Sequence, residues 1–448
     1  MIGVLPFNAS SQTIAAGDWQ MVAICNDGSR SENTLQSWGC NKAGMLGDGS
    51  NTDSNVPVNV SSLSDVSSIS CNGWHTLALK SDGTVWIWGF GLYGQFGNGT
   101  TESSNIPVQM NNMSDVSSIS AGQYHSFAIK NDGTVWGWGY NISGQLGIGN
   151  DSYILEPVLN TSLTSITAIA AGSVHTLALK EDGTLLAWGN NYDGQLGNGE
   201  TGWSYSPVEV NTLTGITAIS AGMYHSLALK EDSTVWAWGS TVINGNVFGS
   251  NSPTQINSLT GIVDISAGKS FSMALKSDGT VWTWGYNNGY GQIGNGSDTS
   301  SYYPQQVIGL YGVIEIEAGQ STSMVKKDDG TVWTWGRNDH GQLGDGTTTN
   351  SSVPVQVIGL CGAVKVDDTT VESIGISVYP NPLQNELSVK GTKRNATITL
   401  FDNSGNEVLK QLSAEYVTRI NTASLAAGIY VLKYVGENDI TSMRIVKY

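Results

Sequence analysis

Residues 169–199 read IAAGSVHTLALKEDGTLLAWGNNYDGQLGNG, and the block starting at Ile219 opens in nearly the same way, ISAGMYHSLALKEDSTVWAWG. Equivalent isoleucines stand at Ile14, Ile69, Ile119, Ile169, Ile219, Ile265 and Ile316, which makes seven copies spaced by about 50 residues. Self-similarity at that period marks a solenoid or a propeller, in which each unit buries its apolar face against the next. Within a copy the pattern predicts four short strands. An apolar alternation (Ile216, Ala218, Ser220) leads through an Ala-Gly turn to a second strand, His225 to Lys230. Asp-Gly pairs such as Asp132-Gly133 and Asp182-Gly183 then predict two-residue hairpins with positive φ at both central positions. The third strand carries Trp at i and i+2 (Trp136/Trp138, Trp236/Trp238), so both indoles lie on one side of the sheet. A Gly-rich loop leads to a last strand, and four strands per unit is the pattern of a propeller blade.

The string AGxxHxLALKxDGTVWxWGxNxxGQLGxG resembles the regulator of chromosome condensation repeat over roughly residues 14–366. The resemblance implies a seven-bladed β-propeller, in agreement with the seven copies. It says little about activity, because the repeat serves nucleotide exchange factors, photoreceptors and a secreted bacterial β-lactamase inhibitor. Val364-Lys365-Val366 repeats the first-strand pattern once more and competes with Thr13-Ile14 for closing the ring.

Beyond residue 366 the repeat ends. YPNP at Tyr379, LFDNSGNEV, LAAGIYVLKY and a basic last strand alternate with Asn-Ser-Gly and Ala-Ala-Gly turns, which predicts a small β-sandwich. The order of these motifs resembles the type A C-terminal sorting domain of the type IX secretion system. The expected organisation is all-β: a propeller over 1–366, a linker over 367–373 and the sorting domain over 374–448. The resemblance implies that residues 374–448 engage the type IX machinery and place the protein outside the cell or on the outer-membrane surface. That route needs a signal peptide, and MIGVLPFNASSQ lacks a basic n-region, so the true start is expected upstream.

Composition narrows the function classes. The chain has 20 Lys and Arg against 37 Asp and Glu, a net charge of −17. Eight basic and six acidic residues lie from Ile374 onward, leaving 12 and 31 for the rest. A propeller so acidic repels a phosphate backbone, which excludes nucleic acid as a partner. No apolar run reaches the ~20 residues of a membrane span. Cys25, Cys40, Cys71 and Cys361 show no CxxC or Cys/His metal spacing, and no disulfide framework, metal site or cofactor is expected from them.

His75, His125, His175 and His225 share one position, where other copies have Gln20, Phe271 and Thr322. A metal or catalytic site would not accept Phe and Thr as counterparts, so a structural hydrogen bond is the expected role. His340, in NDHGQLG, reads as a solvated turn residue. With no nucleophile elbow, phosphate loop or zincin motif, the expectation is not an enzyme.

Twelve of the 15 tryptophans belong to the repeated third strand; Trp19, Trp74 and Trp203 do not. Trp19 and Trp74 follow the Ala-Gly turn, where Tyr124 and Tyr224 stand in the third and fifth copies and Val174 leaves a gap. This turn and the long loop after the third strand, which holds Trp203, Tyr205, Tyr153, Tyr302 and Tyr303, should emerge on one face. Rigid aromatic loop tips suit a binding face, so Trp19, Trp74, Tyr124, Tyr224 and Trp203 are the candidate ligand-binding residues. The resemblance adds that the secreted inhibitor uses aromatics of these loops. A surface-exposed or released binding protein for a protein or glycan is the first expectation. A small-GTPase exchange factor is the second and a carbohydrate-active enzyme the third, the latter requiring a carboxylate pair across the face at ~5–9 Å.

Overall fold

In the computed structural model each repeat is a four-stranded antiparallel sheet with its strands in chain order, seven sheets in all. The residues described are 13–25, 33–111, 113–210, 213–286, 289–362, 377–379, 386–390, 396–401, 407–413, 417–425, 428–435 and 440–447. The chain divides into two units, Met1–Ala363 and Val364–Tyr448. Blade four shows the pattern: Ile166–Ala171, His175–Lys180, Leu185–Gly189 and Ser204–Glu209. The first strands surround a central channel of about 510 Å³ lined largely by Ala, Ser and Ile. The second strands read HTLALK or a close variant and are buried on both faces, because each is covered by the blades on either side. The fourth strands are half-exposed at the rim.

The Asp-Gly hairpins depart from expectation. Glu181, Asp182 and Gly183 form a three-residue loop, with Gly183 N–H donating to Lys180 and Lys180 N–H to Thr184. Only the glycine has positive φ, at 81°, while the Asp182 carboxylate accepts the Thr184 N–H. A type I turn followed by a left-handed glycine fits this spacing.

The second tryptophan of each third strand holds neighbouring blades together. Trp38, Trp88, Trp138, Trp188, Trp238, Trp284 and Trp335 are all fully buried. Six donate their indole N–H to a backbone carbonyl in the long loop of the preceding blade, as Trp238 does to Gln195 at 2.8 Å. That loop approaches so closely that a Cβ on Gly197, at φ +69°, would sit 2.7 Å from the Trp238 nitrogen. Hence the repeated GQLG: the second glycine is needed for the approach as well as for the dihedral. Trp284 has no acceptor, and the blade before it carries the divergent STVINGNVFGS in place of GQLG.

Among the described residues, each blade takes its four strands from one consecutive stretch of chain, blades one and seven included. Ile14–Ala16 pairs with Gln20–Cys25 as the innermost strand of blade one. Val364-Lys365-Val366, the rival closing strand, lies outside the described residues. Blade one meets blade seven through Trp38, Met324, Val357 and Leu360, and the Glu315 carboxylate accepts the Thr13 and Ile14 N–H groups. A disulfide joins Cys25 to Cys361 across 336 residues of chain. The sequence reading missed it because only the closed ring brings these two residues together. Cys40 and Cys71 are buried thiols.

The second unit has a three-stranded sheet (Ser377–Tyr379, Glu386–Lys390, Val417–Asn421) and a four-stranded sheet (Thr397–Phe401, Glu407–Leu412, Gly428–Val435, Ile440–Lys447). Leu387, Val389 and Ile420 from the first meet Ile398, Leu400, Leu432 and Tyr434 from the second in one core, which makes it a sandwich.

Candidate functional site

Backbone hydrogen bonds link the first turns of five of the seven pairs of adjacent blades. Asp18 N–H donates to Gly73, Gln123 to Gly172, Ser173 to Gly222, Met223 to Gly268 and Lys269 to Gln320. Asn72 reaches from blade two to the Ala171 carbonyl of blade four, narrowing the channel mouth. The next residue outward is Trp19, Trp74, Tyr124, Val174, Tyr224, Ser270 or Ser321. Its carbonyl accepts an N–H from the start of the long loop, as Trp74 does from Phe90. First turns and long loops therefore do share one face.

On that face the aromatic rings form a continuous arc. His340 stacks on Trp19 with centroids 5.0 Å apart, Trp19 lies 5.4 Å from Trp74, and Trp74 lies 5.6 Å from Phe90. Phe90 meets Tyr93 and Tyr124. Tyr93, Tyr140 and Tyr153 then form a mutual triangle with sides of 5.3, 5.7 and 5.3 Å. Arg337 extends the arc backward by lying over both Trp19 and Tyr290. The inner rings are half-buried by one another, whereas Tyr153 at the outer end is 48% exposed.

Of the residues expected from sequence, Trp19, Trp74 and Tyr124 lie in this arc. Trp203 does not: it packs with Tyr192 and Tyr205 in a separate cluster beyond the Val174 gap. Tyr224 is half-buried and is in neither group among the described ring contacts. Phe90, Tyr93 and Tyr140 were missed, although each occupies a position of the long loop that the repeat alignment makes comparable.

Beneath the arc lies Asp18, 3% exposed. Trp74 donates its indole N–H to Oδ2 at 2.9 Å and Gln123 its amide at 3.3 Å. Burial pushes the carboxyl up to about 7, against the opposing pull of these donors, Lys269 and Gln320. Trp74 is thus not a free loop tip, since removing its indole would orphan a buried acid. Inside the channel, burial likewise raises Asp264 to about 7, with Glu315 adding to the effect.

The four histidines join blade to blade. His75 bonds Ser126 at 2.8 Å, His125 Thr176 at 3.2 Å, His175 Ser226 at 2.9 Å and His225 Ser272 at 3.0 Å. Burial pushes the first three down to about 3 and His225 to about 4, so all are neutral. His340 is more than a solvated turn residue: it stacks on Trp19 and bonds Asp53 at 2.7 Å.

A model of the RCC1-like domain matches residues 4–246 and 165–378, and a model of the secretion system C-terminal sorting domain matches residues 377–448. Among solved structures, human WBSCR16 is 21% identical over 73% of this chain and 94% of its own, with a TM-score of 0.66. Yeast RCC1 (Prp20), solved bound to Kap60, is 19% identical over 83% of this chain and 87% of its own, also at 0.66. At these identities the likeness is one of fold. No curated protein matches the chain.

Proposed function

Because this chain belongs to the RCC1-like domain family and ends in a sorting domain that directs export through the type IX system to the surface or the medium, we propose that it is a binding protein that engages a protein or glycan ligand through the aromatic arc. The observation that carries the reading is the unbroken run of rings from His340 to Tyr153 across blades seven, one, two and three. Each ring offers about 150–250 Å² and little side-chain freedom to lose on binding. Packing against its neighbours pre-organises the stripe, while the half-exposed faces remain open to a partner. An exported acidic propeller meets no small GTPase, which argues against an exchange factor. Asp18, the buried acid beneath the arc, is too enclosed for a substrate to reach.

Tyr93→Ala and Tyr153→Ala test the reading with the full-length protein. Immobilised wild-type protein is screened against a glycan panel and against purified surface and secreted proteins, and affinities are compared between variants. A ligand of the arc loses about 2 kcal/mol or more with either substitution. If the ligands found bind both variants and wild type equally, the arc is packing alone and the proposal fails.

A further inference from the structure

The long loops bring three equivalent positions together at two junctions between blades. One follows the Trp-Gly of the third strand, one immediately precedes the fourth strand, and one stands just before the Gly-Gln of the preceding blade's loop. At the junction of blades two and three these positions are Tyr140, Tyr153 and Tyr93, the aromatic triangle. At the junction of blades seven and one they are Cys40, Asp53 and His340. Their ligand atoms lie within 4.8 Å of one another. We propose that Cys40, Asp53 and His340 bind one zinc-class divalent transition-metal ion that clips blade seven to blade one.

The donor set selects the metal class. One thiolate, one imidazole and one carboxylate suit a borderline-soft divalent ion with a fourth position left for water, whereas calcium and magnesium demand oxygen alone. Each donor is held from behind. Cys40 N–H donates to the Trp19 carbonyl at 2.9 Å. Asp53 Oδ1 accepts the Asn41 N–H at 2.7 Å, which leaves Oδ2 facing His340 Nδ1. His340 N–H is fixed by Gln342 Oε1 at 2.9 Å. An ion between Nδ1 and Oδ2 would part them from 2.7 Å to roughly 3.3 Å, a small shift for two side chains on loops. Entry is open from the loop face, because the His340 and Asp53 side chains are 17% and 36% exposed while Cys40 forms the floor. Of the cations nearby, Arg337 is neutralised by Asp339, and Lys42 lies over Trp19.

Placement gives the ion a purpose. Six of the seven junctions are spanned by the chain itself, and this is the one that is not. Cys25 pairs with Thr34 at one end of the blade-one hairpin, and Gly39, the neighbour of Cys40, pairs with Gln20 at the other. The disulfide and the proposed metal therefore fasten the same seam from opposite ends.

The test uses purified full-length protein stripped with chelator and titrated with zinc, cobalt and calcium. Other blades supply substitutions that the fold already accepts at these positions: Cys40→Ser as in Ser240, Asp53→Asn as in Asn350, and His340→Ser as in Ser143. Asn350 even keeps the matching bond, accepting the Asn338 N–H at 2.7 Å. The expected result is one equivalent of zinc, a raised melting temperature, and a thiolate-to-cobalt charge-transfer absorption. That absorption vanishes in Cys40→Ser, and zinc affinity falls at least about tenfold in Asp53→Asn and His340→Ser. Substoichiometric zinc, a cobalt spectrum without the thiolate band, calcium binding in place of zinc, or zinc affinity unchanged in His340→Ser would each overturn the proposal.

Discussion

Asp18→Asn removes a charge that the fold pays to bury. The carboxyl sits at about 7 in the folded protein and at 3.8 ordinarily, and the cause is burial outweighing Gln123, Trp74, Lys269 and Gln320. Below pH 4 both folded and unfolded chains hold the proton and the residue costs nothing. As pH rises from 4 to 7 the unfolded chain releases its proton while the folded one retains it, so stability falls. Above pH 7 both are ionised and the cost is constant. The gap between 3.8 and about 7, at about 1.36 kcal/mol per pKa unit, sets a ceiling of about 4 kcal/mol. Asparagine keeps an acceptor for the Trp74 N–H and loses only the attraction to Lys269. We therefore expect the variant to be about 1–3 kcal/mol more stable than wild type at pH 8 and equal to it at pH 4. The measurement is urea unfolding followed by tryptophan fluorescence at both pH values. A variant less stable than wild type at pH 8 would show that the attraction of ionised Asp18 to Lys269 and its hydrogen-bond donors outweighs its burial, and the reasoning would be wrong.

The histidines act in the opposite sense. His125, at about 3 when folded against 6.5 ordinarily, contributes stability that is present above pH 6.5 and lost as pH falls toward 3. His125→Gln, the residue blade one uses at this position, should gain on wild type by about 1.4 kcal/mol per pH unit below 6.5, read from urea midpoints at pH 7 and 5. Cys361→Ser opens the covalent seam; loop closure over 336 residues sets a ceiling of about 6 kcal/mol, and a loss of about 2–5 kcal/mol from the propeller's unfolding transition is expected. A melting temperature unchanged from wild type would show that side-chain packing alone closes the ring. Ser233 holds φ at 63° where the other hairpins place glycine, so Ser233→Gly should raise stability by roughly 1 kcal/mol in the same assay.

The blades were legible because they are local. Alternation, Ala-Gly turns, Asp-Gly hairpins and paired tryptophans all act within about ten residues, and seven repetitions leave one architecture that can bury them. A structural hydrogen-bonding role for the histidines also followed from the repeat, since Phe271 and Thr322 in the same position argued against a metal, but that the bonds run from blade to blade came from the structure. The sandwich followed from short alternating strands punctuated by Asn-Ser-Gly and Ala-Ala-Gly turns. What could not be read were the consequences of closing the ring. Cys25 and Cys361, Thr13 and Glu315, and His340 and Asp53 are each separated by more than half the chain, and no periodicity relates them. The aromatic arc fell between these cases. Its first-turn members stood out as tryptophans outside the repeat, but Phe90, Tyr93 and Tyr140 became visible only when the loops folded against those turns. Local sequence decides which strands form because their hydrogen bonds and alternating faces are short-range. The arc and the buried acid at its base need blades one to three packed side by side, and the seam exists only once the seventh blade meets the first, a contact that is a property of the closed ring.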